Sequence, residues 1–271
     1  LPEESLTSSK SCCPVKEPPP MLTLYTHPMS PCAQKVRICL AEKNLTWKAV
    51  HVDLPSKENL KPEYLKLNPA GVVPTLVDDQ SVITESSVIC EYLDDQYPDT
   101  TLRPESSIAL AQMRLWMKWV DSQLHPSCGA IQWPMVMRPK LMELTEAERV
   151  AVIAKVPEKA RRERQQRLVE LGLDAPDVAS AVATYRSTIQ KMEQSLSDTS
   201  WLLGKAFTLA DACLAPYFQT LYQFSWTDLF ADAPAVDRWY EQCRSRDSYQ
   251  QAVSNDFAPD VLAKLQTDGK A

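Results

Sequence analysis

Several features are missing from this sequence, and each absence argues against a class of function. No run of apolar residues approaches the roughly 20 that a membrane-spanning helix needs, so we expect no membrane span. The 29 Lys and Arg residues are outnumbered by 35 Asp and Glu, and a net charge of −6 gives no basic excess for nucleic acid. There is no Cys-x-x-Cys pair and the three histidines are far apart, so no metal site is predicted.

The composition that is present is typical of an ordinary soluble protein. The 271 residues are 44% hydrophobic and 24% charged, which is enough for a full core in two domains or one large one. The eight cysteines are scattered, several within apolar helical patterns, which favours reduced thiols in the cytoplasm. Residues 1–20, rich in Ser, Lys and Glu and without the apolar core of a signal peptide, are predicted to be a disordered tail.

Residues 21–100 alternate between strand and helix patterns. A short strand comes first, and Ser30 followed by Pro31 then predicts a helix start, because serine caps free amides and proline fits the first turn. On this helix the apolar side chains fall on one face and the polar ones, Gln34, Lys35, Arg37 and Lys43, on the other. A second strand, a short helix, a hairpin and a third helix follow. A βαβ unit followed by a ββα unit predicts a layered α/β domain of thioredoxin type.

From residue 105 to residue 260 the pattern is helical throughout and predicts an all-helical second domain. Residues 109–125 are apolar on more than one face, so this helix is expected to be largely buried. Thr208 and Asp211 have the spacing of a capping box at the start of a core helix.

Two other segments are assigned less structure. The basic run at 159–167 contains Glu163 and is predicted to be a solvated helix face. Residues 261–271 are assigned to a C-terminal tail.

The segment at 68–87 predicts a hairpin that ends at a helix start. Pro74 cannot donate to a ladder, so it should begin its strand, where the preceding bond can be cis and Val73 can turn its backbone outward. Glu85 and Ser86 lie where free amides and the helix dipole favour an anion. These residues are consistent with a pocket for a small peptide, held by its backbone and its carboxylate, and equally with an ordinary hairpin and a capped helix.

Four separated segments together resemble the cytosolic glutathione transferases. They are YTHPMSPCAQKVR (25–37), NPAGVVPTL (68–76), TESSVICEYL (84–93) and LLGKAFTLADACLAP (202–216). The resemblance implies an N-terminal thioredoxin-like domain followed by an all-helical domain. It also implies glutathione as co-substrate with no metal, a hydrophobic electrophile as second substrate, and a homodimer.

The resemblance assigns roles to particular residues. In that family the residue before the proline pairs with the cysteinyl backbone of glutathione, which here implies Val73 with Pro74. The acid and serine that hold the γ-glutamyl group correspond to Glu85 and Ser86. This agrees with the peptide pocket inferred from the residues themselves.

The chemical position is expected at the start of the first helix. A glutathione sulfur beside Ser30 would be stabilised as a thiolate by one hydrogen bond and the helix dipole, each worth roughly 1 kcal/mol. Cys32 matches the second position of the Ser-x-Cys pattern of the zeta class and of reductive dehalogenases. Both are therefore candidate catalytic residues, while a plain helix cap and core packing are their alternative interpretations.

Within the family, this sequence looks most like the bacterial glutathione-dependent β-etherases, in which the thiolate displaces an aryloxide next to a ketone. Its Ser-Pro-Cys start departs from that branch. Candidate walls for an aromatic substrate are Trp116, Trp119, Trp133 and Met137. Two other classes stay open: a thiol–disulfide or dehalogenase-type enzyme that uses Cys32, and a noncatalytic interaction module of glutathione-transferase type.

Overall fold

The computed structural model describes residues 22–269, so the predicted tail at 1–20 lies outside the described residues. Its four-stranded mixed sheet has the order β2-β1-β3-β4. β1 pairs with β2 in parallel and with β3 antiparallel, and β3 and β4 form the expected hairpin. The strands are β1 (Leu22–Thr26), β2 (Trp47–His51), β3 (Thr75–Asp78) and β4 (Ser81–Ile83). The thioredoxin-type prediction is confirmed.

Three helices accompany this sheet: α1 (Pro31–Glu42), α2 (Pro62–Leu67) and α3 (Ser86–Gln96). α1 begins as predicted, with Ser30 as its N-cap and Pro31 in the first turn. The polar face of α1, however, is not solvated, because Gln34, Lys35 and Arg37 are all buried. Helices of the second domain cover this face, and the buried Lys35 forms an ion pair with Asp121, its Nζ lying 2.6 Å from the carboxylate oxygen.

The second domain is helical, as predicted. A turn of π-helix, Val120–Leu124, joins its first two helices, and short 3-10 turns connect some of the others. Its helices are α4 (Ser107–Trp119), α5 (His125–Val136), α6 (Arg138–Met142), α7 (Glu146–Ala154), α8 (Lys159–Leu171), α9 (Pro176–Ser195), α10 (Leu209–Gln223), α11 (Pro234–Ser245), α12 (Asp247–Ala252) and α13 (Pro259–Asp268).

The core of the molecule is continuous between the two domains. α10 is buried along nearly its whole length and packs against α1, which lies on the sheet. The predicted capping box is present at its start: Thr208 accepts from the helix, and Asp211 accepts from the Thr208 amide at 3.0 Å. The tight seating of α1 against α10 sets the relative position of the two domains, and therefore of the cleft between them.

Two expectations about the helical domain were wrong. α4 is not largely buried, since Ile108 is 75% and Leu115 is 66% exposed, so the described residues leave one of its apolar faces uncovered. The segment assigned to a C-terminal tail is mostly helix α13. It is helical because Leu262 and Leu265, three residues apart, pack against the core, and Trp226 Nε1 donates to the carbonyl of Gly269 at 2.9 Å.

Residues 22–269 contain neither a membrane-spanning helix nor a cluster of metal ligands. No helix there combines the length and the hydropathy needed to cross a membrane. The same residues contain no group of three or more His, Cys, Asp or Glu side chains arranged to hold a metal ion.

Candidate active site

A cavity of about 230 Å³ lies at the junction of the two domains. Loops of the thioredoxin-like domain form one wall, and α5 and α8 with their flanking residues form the other. The first wall includes His27, Met29, Ser30, Pro31, Leu54, Lys57, Asn59, Val72 and Val73, and the second His125, Gln132, Trp133, Met137, Val156, Arg161 and Gln165. A concave, mostly apolar site with a few polar groups is what a small-molecule ligand requires.

Ser30 lies in this cavity at the N-terminus of α1. Its Oγ accepts a hydrogen bond from the Ala33 amide at 3.3 Å, which leaves the hydroxyl proton free to be donated to a ligand. The positive end of the helix dipole adds to this donor, and the residue is only 9% exposed. An anionic sulfur placed here would gain both a charge-assisted hydrogen bond and the field of the helix.

Val73 lies on the same wall, directly before the cis bond to Pro74 that the sequence predicted. The backbone of the neighbouring residues is already in use: Tyr64 and Asn68 both donate hydrogen bonds to the carbonyl of Val72, and Thr75 begins strand β3. Among residues 22–269, no hydrogen bond uses the backbone N–H or C=O of the buried Val73. A short extended peptide could pair with this unused edge.

Glu85 and Ser86 are not on the cavity wall. Glu85 is exposed at the N-cap of α3 with a φ of 66°, a left-handed backbone that non-glycine residues rarely adopt. The buried Ser86 opens α3 and accepts a hydrogen bond from Lys35 Nζ at 3.3 Å, as does Ser87. The sequence analysis missed Lys35 as part of this site, since only the packing of α1 shows that its amine reaches the start of α3.

Cys32 points toward the helical domain and is not on the cavity wall. Its Sγ lies 3.4 Å from His125 Nδ1 and 3.7 Å from the hydroxyl of Tyr217. Burial alone would raise the pKa of this thiol, but the charge and hydrogen bond of His125, together with Lys35, lower the pKa to about 6. The contact with His125 therefore favours the thiolate form of Cys32.

Of the four predicted aromatic-pocket residues, the structure brings two into the cavity. Trp133 and Met137, at the end of α5, are on the wall. Trp116 and Trp119 are not on this wall: they line a separate surface with Lys191 and Ser195 of α9, and Trp119 Nε1 donates to Thr188 Oγ1 at 2.9 Å. The sequence could not show which of these four residues border the cavity, because all four belong to apolar helical segments.

One end of the cavity is cationic, which the sequence analysis did not foresee. Arg161 belongs to the basic run that was predicted to be a solvated face, yet its Nε is buried without a hydrogen-bond partner among the described residues, as are Asn59 Oδ1 and Gln165 Oε1. Burial and the charge of Arg161 lower the pKa of Lys57 to about 8. This end can bind a carboxylate, which would give both cations an anionic partner.

The sheet with its cis-proline loop, and the helical domain packed against α1, define a two-domain fold of thioredoxin-like and all-helical parts. Two family profiles match the chain: the glutathione S-transferase N-terminal domain over residues 24–101 and the glutathione S-transferase C-terminal domain over residues 133–247. The chain belongs to the glutathione S-transferase family.

Relatives of known name support this assignment. The chain is 30% identical to glutathione S-transferase 3 of Zea mays, with 86% of this chain and 93% of that protein covered. It is 28% identical to protein LigF of Sphingobium sp., with 90% and 98% covered. The crystal structure of β-etherase LigF from Sphingobium sp. strain SYK-6 matches with a TM-score of 0.77 at 26% identity, covering 86% of this chain and 98% of that one.

Proposed function

We propose that this protein is a glutathione transferase that activates the glutathione thiolate for attack on a hydrophobic, aromatic electrophile. One observation carries the proposal: the Ser30 hydroxyl and the unused backbone of Val73 face the same cavity, opposite Trp133. The first two groups suit a cysteinyl thiol and its backbone. The third suits an aromatic second substrate.

The proposed orientation of glutathione follows from these positions. The cysteinyl backbone pairs with Val73 beside Pro74, and the γ-glutamyl group extends to Glu85 and Ser86. The glycyl carboxylate then points the opposite way, toward the cationic end of the cavity at Lys57. Each end of the tripeptide thereby has groups of matching chemistry.

We further propose an aryl ether as the electrophile, with β-aryl ether cleavage as the reaction. The similarity to a protein named β-etherase supports this class, as does a cavity bounded by Trp133 and Met137. The test is to incubate the protein with glutathione and an aryl ether next to a ketone, and to follow release of the phenol and formation of the thioether. A panel without ether substrates, such as haloaromatics and disulfides, provides the comparison.

A second candidate function is supported by the lowered pKa of Cys32. A thiolate at neutral pH could attack a glutathionyl intermediate or a disulfide, as in thiol–disulfide or dehalogenating enzymes. A mixed disulfide between Cys32 and glutathione, found by intact-protein mass spectrometry after turnover, would favour this alternative. Its absence, with an active Cys32→Ser variant, would favour the transferase.

We also propose a cytoplasmic homodimer. α3 and α4 carry exposed large apolar side chains, including Val88 at 57%, Ile108 at 75% and Leu115 at 66% exposure, and a second copy would cover them. All six cysteines among the described residues are free thiols, which suits a reducing compartment. Light scattering on wild type and on Leu115→Glu tests the dimer.

The γ-glutamyl end of the pocket gives a first prediction. Replacing Glu85 or Ser86 by alanine is expected to weaken glutathione binding by roughly 1–3 kcal/mol, because the charged end of the ligand loses a partner. Calorimetric titration measures the affinity for glutathione. Glu91→Ala on the same helix is the control, because it removes an ion pair with Arg114 and no proposed glutathione contact. Unchanged affinity in both site variants would contradict the pocket assignment.

The aromatic wall gives a second prediction, with a matched control in the same domain. Trp133→Ala is expected to raise KM for an aromatic electrophile by roughly 10- to 100-fold, the equivalent of about 1.5–3 kcal/mol of lost apolar contact. Trp119→Ala should leave KM within about twofold of wild type, because Trp119 faces α9. Steady-state kinetics at saturating glutathione measures KM for the electrophile. Equal effects of the two variants on KM would contradict the proposed position of the substrate.

A further inference from the structure

His125 lies on the cavity wall, and its imidazole is also within hydrogen-bonding distance of the Cys32 sulfur. It opens α5 directly after the π-helical turn, and its side chain is exposed on the cavity wall that faces Ser30. Its Nδ1 lies 3.4 Å from Cys32 Sγ and 3.3 Å from the hydroxyl of Tyr217. The imidazole is thus held by α1 and α10 while its ring borders the space in which a ligand would lie.

The groups around His125 determine its charge. The Cys32 thiolate raises the pKa of His125, while partial desolvation of the ring in the cleft and the more distant charges of Lys35 and Arg164 act in the opposite direction. Lys35 is itself paired with Asp121 at 2.6 Å, which offsets its charge. Tyr217 stays neutral, because burial raises its pKa well above the usual range. The contact between Cys32 Sγ and His125 Nδ1 therefore favours the thiolate–imidazolium form of the pair.

The two members of this pair differ in their access to a ligand. His125 is on the cavity wall and Cys32 is not. The sulfur is instead enclosed by polar groups of α5 and α10. A substrate in the cavity would meet the imidazolium first, so the arrangement favours a proton donor over a sulfur nucleophile.

We propose that His125 is a catalytic acid that protonates the leaving oxygen of an aryl ether, and that Cys32 is a positioning residue that keeps the imidazole charged and in place. This inference rests on the proposed transferase function. The glutathione thiolate forms a carbon–sulfur bond as the carbon–oxygen bond breaks. The electron pair of that bond goes to the aryl oxygen, which takes the His125 proton, so thioether and phenol leave and solvent returns the proton to the neutral imidazole.

The proposal makes His125 important only for poor leaving groups. An ordinary phenol has a pKa of about 10, like tyrosine, so its anion leaves slowly without a proton, and a positioned acid contributes roughly 10²- to 10⁴-fold. An acidic nitrophenol leaves as the anion and needs no such help. A residue with a merely structural role would affect both substrates equally.

The experiment compares two aryl ethers that differ only in the leaving phenol, with the full-length protein and glutathione. His125→Gln is expected to lower kcat for the ordinary phenol by at least roughly 10²-fold and for the nitrophenol by less than about 10-fold. His51→Gln, at an exposed histidine outside the cavity wall, is the control and should change neither rate. Calorimetric titration with glutathione checks that His125→Gln is folded.

The wild-type protein supplies a test that needs no variant. For the ordinary phenol, kcat should fall as the pH rises through the pKa of His125, which lies above the usual value, because the acid is then lost. For the nitrophenol this alkaline limb should be absent. In Cys32→Ser the limb should move to lower pH, because the imidazolium no longer faces a thiolate.

The outcomes separate this inference from the function on which it rests. Equal losses for both phenols in His125→Gln, or the same alkaline limb for both substrates in wild type, would overturn His125 as the acid and leave the transferase function in place. Release of neither phenol by the wild-type protein would overturn both.

Discussion

Ser30→Ala is expected to lower kcat by roughly 10²-fold or more while leaving the Kd for glutathione almost unchanged. The hydroxyl contributes most when the sulfur is charged, so its loss affects the transition state more than binding of the thiol. The hydroxyl proton is available for this purpose, because Ser30 Oγ only accepts, from the Ala33 amide at 3.3 Å. Removing the N-cap should also reduce the free energy of unfolding by about 1 kcal/mol, which a folded protein of this size tolerates.

Ser127→Ala is the matched control, because it also deletes a nearly buried hydroxyl, one that donates to the carbonyl of Gln123 and does not line the cavity. Steady-state kinetics together with calorimetric titration measures kcat and Kd separately. Full activity in Ser30→Ala combined with an inactive Cys32→Ser would identify Cys32, and not Ser30, as the catalytic residue and would favour the dehalogenase-type alternative.

The largest loss of stability is expected from Asp211→Ala, at about 3–5 kcal/mol in the free energy of unfolding. The carboxylate of this fully buried residue accepts from the amides of Leu202 and Thr208, the Thr208 hydroxyl and Trp239 Nε1, at 2.9–3.1 Å. Each buried donor left without a partner costs roughly 1–3 kcal/mol, and water cannot replace the carboxylate without opening the core.

The same chain contains a capping box with the same chemistry at its surface, where Thr145 and Glu148 begin α7. Glu148→Ala should cost about 1 kcal/mol or less, because water satisfies the exposed amides after the side chain is removed. Equilibrium unfolding in urea compares the two variants. Similar losses at both positions would show that burial does not control the strength of this motif, and would contradict the prediction.

The two capping boxes show what the sequence predicts about a helix start and what it does not. The Thr–x–x–acid spacing indicates a helix start wherever it occurs, because the hydrogen bonds that satisfy the first amides are local. The same holds for Ser30 with Pro31, and for the cis Pro74, directly after which β3 begins. The strength of the Asp211 box, by contrast, comes from Trp239, which is distant in sequence.

The errors in the sequence analysis share one physical cause. Lys35 was assigned to the polar face of α1 and Arg161 to a solvated helix face because charged side chains usually avoid burial, and residues 109–125 were expected inside because apolar side chains are usually buried. Lys35 is buried because α3 and Asp121 supply partners. Leu115, on α4, is exposed because no residue within 22–269 covers that face.

The sequence by itself determined the order of strands and helices in the first domain, the helix caps at Ser30 and Thr208, the proline loop and the family resemblance, because each depends on neighbours within a few residues or on a contiguous motif. Only the tertiary structure decided which aromatic residues border the cavity, which cations close its end, and that Cys32 meets His125. These contacts join residues 93 positions apart in the case of Cys32 and His125, and they follow from how α1 packs against α10, which no local pattern encodes.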